Sequence, residues 1–274
     1  MNLNQKTIAI SKFSKANYLL LSIVSLFLFS SCEDVIELNL QNTEPVIVIE
    51  GSVTNQLENQ FVRVSKTIDF TKANTFSGLK GAKISLSSSS GVKIDFLEVA
   101  DGLYKSPDFK GIPGNTYKLE VLVDGRVYSA NSTMPMPVTP DSLRFKRLSF
   151  FGSTSIFPSV FYKDPLGIQN QYRYVLKINR KVQEDFVSED RFNDGNEVSD
   201  LIINEGEDIK LGDTIQVEMQ SIDRNVFKYY FALKQIKGEG GPPVAPANPK
   251  SNFNNGAVGI FSAHTKSSIS GVVK

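Results

Sequence analysis

The chain has 274 residues, 41% hydrophobic, 22% charged and 10% aromatic, with a formal charge of +1. This profile excludes a disordered or collagen-like protein and gives enough length for one large or two modest domains with real cores. One Cys, one His and no Trp leave no internal disulfide and no Cys-rich zinc site, and a Ser–His–Asp or Cys–His mechanism would have to pass through a single imidazole.

Residues 1–17 carry Lys6, Lys12 and Lys15 and no acid, and Tyr18 to Phe29 is a nearly uninterrupted apolar run. The run is shorter than the roughly 20 residues that a membrane span requires, so residues 1–31 read as a secretory signal peptide. The stretch Phe29-Ser30-Ser31-Cys32 resembles a bacterial lipobox, with Phe29 where Leu is usual. In that motif the cysteine is linked to diacylglycerol, cleaved on its amino side and N-acylated, palmitate being the kind of chain expected. Each buried methylene contributes on the order of 0.8 kcal/mol, so three acyl chains hold a protein on a membrane where one would not. Cys32, the lone cysteine, is the expected lipidation site. Without the leader's three lysines, 27 basic residues face 29 acidic ones, which offers no broad basic surface for nucleic acid. Glu33-Asp34 resembles the acidic signal that sends Bacteroidota lipoproteins to the outer face of the outer membrane. The expected location is the outer membrane, lipid-anchored and facing the exterior.

Residues 32–44 read as a polar tether. Strand-like runs follow at Val46–Val53, Phe61–Ile68, Ala82–Ser87, Val92–Val99, Thr116–Val123 and Val127–Ser132, separated by Gly, Asn, Asp or Ser clusters. They predict a β-sandwich over residues 45–134. Asp124-Gly125 is the two-residue signal of a type I′ hairpin. The Ser87–Ser90 tract before Gly91 is a polar hairpin tip. Met134-Pro135-Met136-Pro137 and Pro140 break the strand pattern, which places a linker at 135–141 and a second, mostly β domain at 142–274. Within it, Leu143–Phe151, Ile156–Tyr162, Tyr172–Val182, Leu201–Asn204, Thr214–Ile222 and Ala257–Ala263 are strand-like. One helix is predicted from about Arg224 to Ile236, capped by Asp223 and ended by Gly238, with an apolar face of Val226, Phe227, Tyr230, Phe231 and Leu233.

Several features are candidates for chemistry. Asp190 to Asp200 (DRFNDGNEVSD) crowds oxygen ligands but fails an EF-hand template at Phe192 and Leu201, so a solvated acidic loop and no metal are expected. Glu205, Glu207 and Asp208 offer carboxylates with no means of placing two across a scissile bond. His264 follows the last predicted strand and reads as a hydrogen-bonded or surface residue. Asp141-Ser142-Leu143 and Asp213-Thr214-Ile215 look like the acceptor pattern of Bacteroidota periplasmic O-glycosylation, which makes Ser142 and Thr214 candidate modification sites. Asn131-Ser132-Thr133 matches the eukaryotic N-glycosylation pattern, whose machinery a bacterial lipoprotein would not meet. The long Gly/Pro loop Gly238–Gly256 with Phe253 and Phe261, together with Tyr229 and Tyr230, is the expected contact surface for a ligand or partner.

The whole mature chain resembles a family of Bacteroidota lipoproteins catalogued as domain of unknown function 4249. The likeness rests on Cys32-Glu33-Asp34-Val35-Ile36, Val48-Ile49-Glu50-Gly51 with Thr54-Asn55, Gly102-Leu103-Tyr104, and Gly111-Ile112-Pro113-Gly114-Asn115-Thr116-Tyr117. It continues through Asp164-Pro165 with Tyr172, Asp194-Gly195, Gly212-Asp213-Thr214, Tyr229-Tyr230, Pro246-Ala247-Asn248, Ser251-Asn252 and Gly256 to Ala263. The resemblance implies an immunoglobulin-like or prealbumin-like first domain, a second mostly β domain, and association with TonB-dependent outer-membrane transporters. It brings no catalytic residues. The resulting expectation is a non-enzymatic surface lipoprotein, without cofactor apart from its covalent lipid, that captures substrate for a TonB-dependent barrel. The alternative is a stand-alone glycan-binding or adhesive β-sandwich stacking sugars on Tyr104, Tyr117, Tyr128 and Tyr162.

Overall fold

The computed structural model describes residues 44–68, 77–150, 152–191, 193–203, 206–236 and 249–274. The predicted leader, Cys32, the tether before Glu44 and residues 237–248 of the Gly/Pro loop lie outside them. In chain order the strands are β1 (Ile47–Thr54), β2 (Glu58–Lys66), β3 (Lys83–Ser88), β4 (Lys93–Ala100), β5 (Leu103–Phe109), β6 (Thr116–Val123) and β7 (Arg126–Thr133). β8 (Ser142–Phe150), β9 (Ser153–Lys163), β10 (Gln171–Ile178), β11 (Lys181–Glu189), β12 (Glu197–Leu201) and β13 (Thr214–Ser221) follow, then helix α1 (Arg224–Ile236) and β14 (Val258–Val272). The protein is mainly β.

Period-two alternation drives the pairing. β6, for example, buries Tyr117, Leu119, Val121 and Val123 while Thr116, Lys118 and Leu122 face out. The strands form one sheet in the order β11-β10-β13-β14-β1-β2-β5-β4-β3-β6-β7 and a second in the order β12-β9-β8. The long sheet folds on itself at β4, where Lys93–Phe96 pair with β3 and Leu97–Ala100 with β5. The first sandwich closes around Ile49, Val62, Leu86, Tyr104, Leu119 and Phe261. A second core, around Val160, Tyr172, Tyr174, Leu176, Ile215 and Val217, lies between β12-β9-β8 and the other end of the long sheet. Residues 44–274 cluster as one compact unit.

β14 belongs to both sandwiches. Val258–His264 run parallel to β1, whereas Thr265–Val272 run antiparallel to β13. The parallel half depends on Gly259, which has φ +101°; a Cβ there would lie 2.1 Å from the Ile49 carbonyl oxygen. This strand corrects the linear division at 135–141: residues expected in a second domain of 142–274 return to the first core, where Phe253 bridges Ala130 and Phe261 is fully buried.

Local chemistry explains the other departures from expectation. β5 lies outside the predicted strand-like runs because Pro107 interrupts its pattern. The structure accommodates the proline at a register shift in β2, where the Gln60 amide donates to Ser106 Oγ at 2.9 Å. The run Tyr172–Val182 is two strands joined by Asn179-Arg180, both with positive φ (50° and 71°). Arg is a poor residue for that conformation; Asn179 holds the turn by donating to Asp213 Oδ1 at 2.9 Å and accepting from the Thr214 amide at 3.0 Å. β12 lies at 197–201 rather than 201–204. The Asp124-Gly125 turn has the expected positive φ at both residues (51° and 73°). The run Gly111–Tyr117 is a tyrosine corner: the Tyr117 hydroxyl accepts from the Ile112 amide at 2.6 Å, an immunoglobulin-like device.

Candidate functional site

Along β14 the alternation sends Phe261 and Ala263 into the first core and leaves Ile260, Ser262, His264 and Lys266 on the opposite face. On that face, at the changeover between the sandwiches, lies a cleft of about 330 Å³. β1 supplies Glu50, Gly51 and Ser52, β2 supplies Phe61 and Arg63, β10 supplies Arg173, β13 supplies Glu218 and Gln220, and α1 supplies Tyr230. A larger depression of about 490 Å³ on β3, β4 and β6 contains no buried polar atom left without a partner among the described residues. The smaller cleft does.

That atom is His264 Nε2. Nδ1 lies 3.0 Å from Ser262 Oγ. Burial first, with Lys266 and Arg173 adding repulsion, pushes the imidazole pKa down to about 3. The ring is therefore neutral, and its Nε2 is buried beneath the cleft without a partner. Thr265 Oγ1, the next residue along, is also buried and without a partner.

Helix α1 forms one wall. Asp223 caps it, accepting from the Asn225 and Val226 amides at 2.8 and 3.0 Å. Val226 and Phe227 anchor it against Val187, Ile222 and Ile260. The Ser132 hydroxyl donates to the other Asp223 oxygen and accepts from the Ala263 amide at 2.8 Å, tying β7, β14 and the helix start together. Tyr230 presents its ring to Arg173, whose Cζ stands 4.2 Å from the ring centroid. Arg173 Nε donates to Asp185 and Nη1 to Gln220 Oε1 at 3.1 Å, and Gln220 in turn donates to Glu218 at 2.6 Å. Burial works against the guanidinium charge, but Tyr230, Asp185 and Glu218 outweigh it and its pKa is raised. At the other rim Lys266 Nζ and Thr54 Oγ1 donate to Glu58 at 2.8 and 2.7 Å. These bonds hold the Glu58 carboxyl below its ordinary pKa. The cleft thus combines fixed cations and acids with the rings of Phe61 and Tyr230 over a neutral, buried imidazole, a set suited to a polar ligand bearing both donors and acceptors.

Of the expected contact residues, Tyr230 lines this cleft. Tyr229 packs edge-on to it at 5.6 Å, with its hydroxyl pKa raised to about 12 by burial. Phe253 and Phe261 are corrected: both lie in the first core, where alternation and closure of the sandwich demand apolar side chains, and neither offers a surface. Tyr104, Tyr117, Tyr128 and Tyr162 are likewise buried and unavailable for stacking sugars. Ser142 begins β8 half-buried and Thr214 begins β13 exposed. His264 sits within β14 rather than beyond a strand end. Arg173, Gln220 and Lys266 carried no signal in the sequence, because three distant strands bring them together. Among the described residues one group of carboxylates, Asp164, Asp190 and Asp194, is close enough to share a cation; it has no residue in common with the cleft.

The family described as Domain of unknown function (DUF4249) matches residues 33–270. The chain belongs to this family. Every cleft residue lies inside the DUF4249 match. No curated protein matches. Among solved structures, a two-domain fibronectin type-III segment from chicken tenascin is 12% identical, with a TM-score of 0.23, covering 65% of this chain and 91% of that one. A DUF4785 family protein from Legionella pneumophila is 10% identical (TM-score 0.25, 64% of this chain and 52% of that one). The Yersinia pseudotuberculosis adhesin InvE is 15% identical (TM-score 0.21, 65% and 55%). TM-scores this low support no inference, and the sandwich architecture of this DUF4249 chain stands on the pairing of its own strands.

Proposed function

We propose that the protein is a non-enzymatic, surface-facing outer-membrane lipoprotein that captures a substrate for a TonB-dependent transporter. The observation that carries this reading is the lone Cys32 placed directly after a short apolar leader and twelve residues before the fold begins at Glu44. Lipid attachment confines the module to the membrane plane and raises its effective concentration beside a barrel, so that a weak interface is enough. The cleft at the β14 changeover is the part of the surface equipped to hold the substrate. Mass spectrometry of the full-length chain should find a triacylated Cys32 at the mature N-terminus, and a barrel transporter should co-purify with it from outer membranes. An unmodified thiol, or a Cys32→Ala protein that co-purifies as fully as wild type, overturns the proposal.

A second reading, stand-alone glycan binding, draws on Phe61 and Tyr230 flanking the donors and acceptors of the same cleft. Strong retention on a glycan array that Tyr230→Ala abolishes, with no barrel recovered from membranes, would favour it.

A further inference from the structure

The loops at the far end of the second sandwich hold a group of acids that the cleft does not use. Asp164 follows β9 and is 1% exposed, Asp190 follows β11 and is 7% exposed, and Asp194 stands exposed in the next turn. One carboxylate oxygen from each lies within 4.8 Å of the others. Among the described residues no Lys or Arg pairs with any of the three: neighbouring Arg191 goes to Glu189 and Lys163 to Glu197. Their partners are uncharged hydrogen-bond donors. Tyr172 OH (3.0 Å) and the Gly195 amide (3.3 Å) donate to Asp164, the Asn193 amide to Asp190 (2.8 Å) and the Gly167 amide to Asp194 (2.6 Å). A carboxylate has about four lone-pair sites, so each keeps acceptor capacity. Gathering like charges in a buried place without a counter-charge is costly.

A separate observation points into the same space. Asn170 is 8% exposed, and its amide nitrogen is buried without a hydrogen-bond partner. The amide lies against the Asp164 carboxyl. Rotating that amide by half a turn exchanges nitrogen for oxygen at no steric expense and sets an amide oxygen beside the Asp164 carboxylate, the kind of donor an oxygen-lined cation site uses.

We propose that Asp164, Asp190, Asp194 and Asn170 form a Ca²⁺ site joining the β9–β10 and β11–β12 loops. The donors are all oxygen and come from irregular loops, which suits Ca²⁺ rather than Zn²⁺. Two oxygens on one Ca²⁺ stand at most about 5 Å apart at the usual 2.3–2.6 Å bond lengths, and the carboxylates already meet that limit. The linear acidic stretch fails the EF-hand template because one buried ligand, Asp164, arrives from a different loop. The site is independent of the lipid anchor.

Terbium is the test, because this chain has no Trp and Tyr172, bonded to Asp164, stands beside the ion as its sensitiser. EDTA-treated full-length protein, excited in the tyrosine band, should sensitise Tb³⁺. Ca²⁺ should quench that emission at least tenfold more effectively than Mg²⁺, and should raise Tm relative to EDTA. The exposed substitution Asp194→Ala spares the core and should weaken Ca²⁺ at least tenfold, as should Asp190→Asn, without loss of the strand signature in circular dichroism. Absence of sensitised emission, equal competition by Mg²⁺, a Tm unchanged between EDTA and Ca²⁺, or an Asp194→Ala protein that titrates like wild type overturns the proposal.

Discussion

His264 and Thr265 are consecutive in one strand but paired to different sandwiches: His264 lies opposite Thr54 of β1, and Thr265 opposite Ser221 of β13. Each carries a buried side-chain atom with no partner, Nε2 and Oγ1. Between them the strand passes from the β1 ladder to the β13 ladder, and the two side chains point to opposite faces of the sheet. The cleft opens over this point.

His264 makes stability fall in acid. Its folded pKa of about 3 lies below the ordinary 6.5, so the unfolded chain binds the extra proton across that interval and stability is lost as pH drops from 6.5 towards 3. Between pH 7 and pH 5 this residue alone should remove about 2 kcal/mol. Urea unfolding of His264→Gln should show a shallower loss over the same pH range than wild type.

Gly259→Ala should be among the most damaging single substitutions. The new methyl meets the Ile49 carbonyl oxygen, and φ of +101° adds backbone strain. Gly91, with φ +87° but open space around it, is the control, and Gly91→Ala should cost only about 1–2 kcal/mol. Thermal melts of the two proteins should differ widely; similar Tm values would refute the close packing of β1 on β14.

Ser132→Ala should cost roughly 1–3 kcal/mol, since it strips the Ala263 amide of its acceptor in a buried place. Asp223→Ala should cost about 1 kcal/mol from the lost cap and more from the stranded Ser132 hydroxyl. The two substitutions share one hydrogen bond, so the double variant should be less destabilised than the sum, a deficit that a denaturant double-mutant cycle reads directly.

Tyr117→Phe keeps the buried ring and removes only the hydroxyl that receives the Ile112 amide. A loss of about 1–2 kcal/mol in urea unfolding is expected, with protection of the Ile112 amide against hydrogen exchange falling in step.

The sequence announced those elements whose local chemistry agrees with their final environment. β6 alternates cleanly, Asp124-Gly125 suits positive φ, and α1 has both its cap at Asp223 and its apolar stripe. Elements whose justification is distant were hidden. β5 contains Pro107, acceptable only because β2 shifts register beside it, and the Asn179-Arg180 turn is held by Asp213 and Thr214 from elsewhere in the chain. The second half of β14 is rich in Ser and acquires its strand character from β13. The same rule divides the aromatics. Tyr230, Phe253 and Phe261 are alike in sequence as contact candidates, but Tyr230 reaches the cleft from α1 whereas Phe253 and Phe261 are claimed by a core that only the returning strand creates. Arg173, Gln220 and Lys266 meet because β10, β13 and β14 are adjacent, an order that no local pattern encodes.

The parallel pairing of β1 with β14 also orders events in time. Val48 and Val258 are partners 210 positions apart, so closure of the long sheet must wait for almost the entire chain, a topology that folds slowly. A nascent or truncated polypeptide ending before Val258 presents the flank of β1 and the flank of β13 as two raw edges at once. Such edges invite strand addition from other copies, which makes the last fifteen-residue strand the latch that separates a soluble product from an aggregating one.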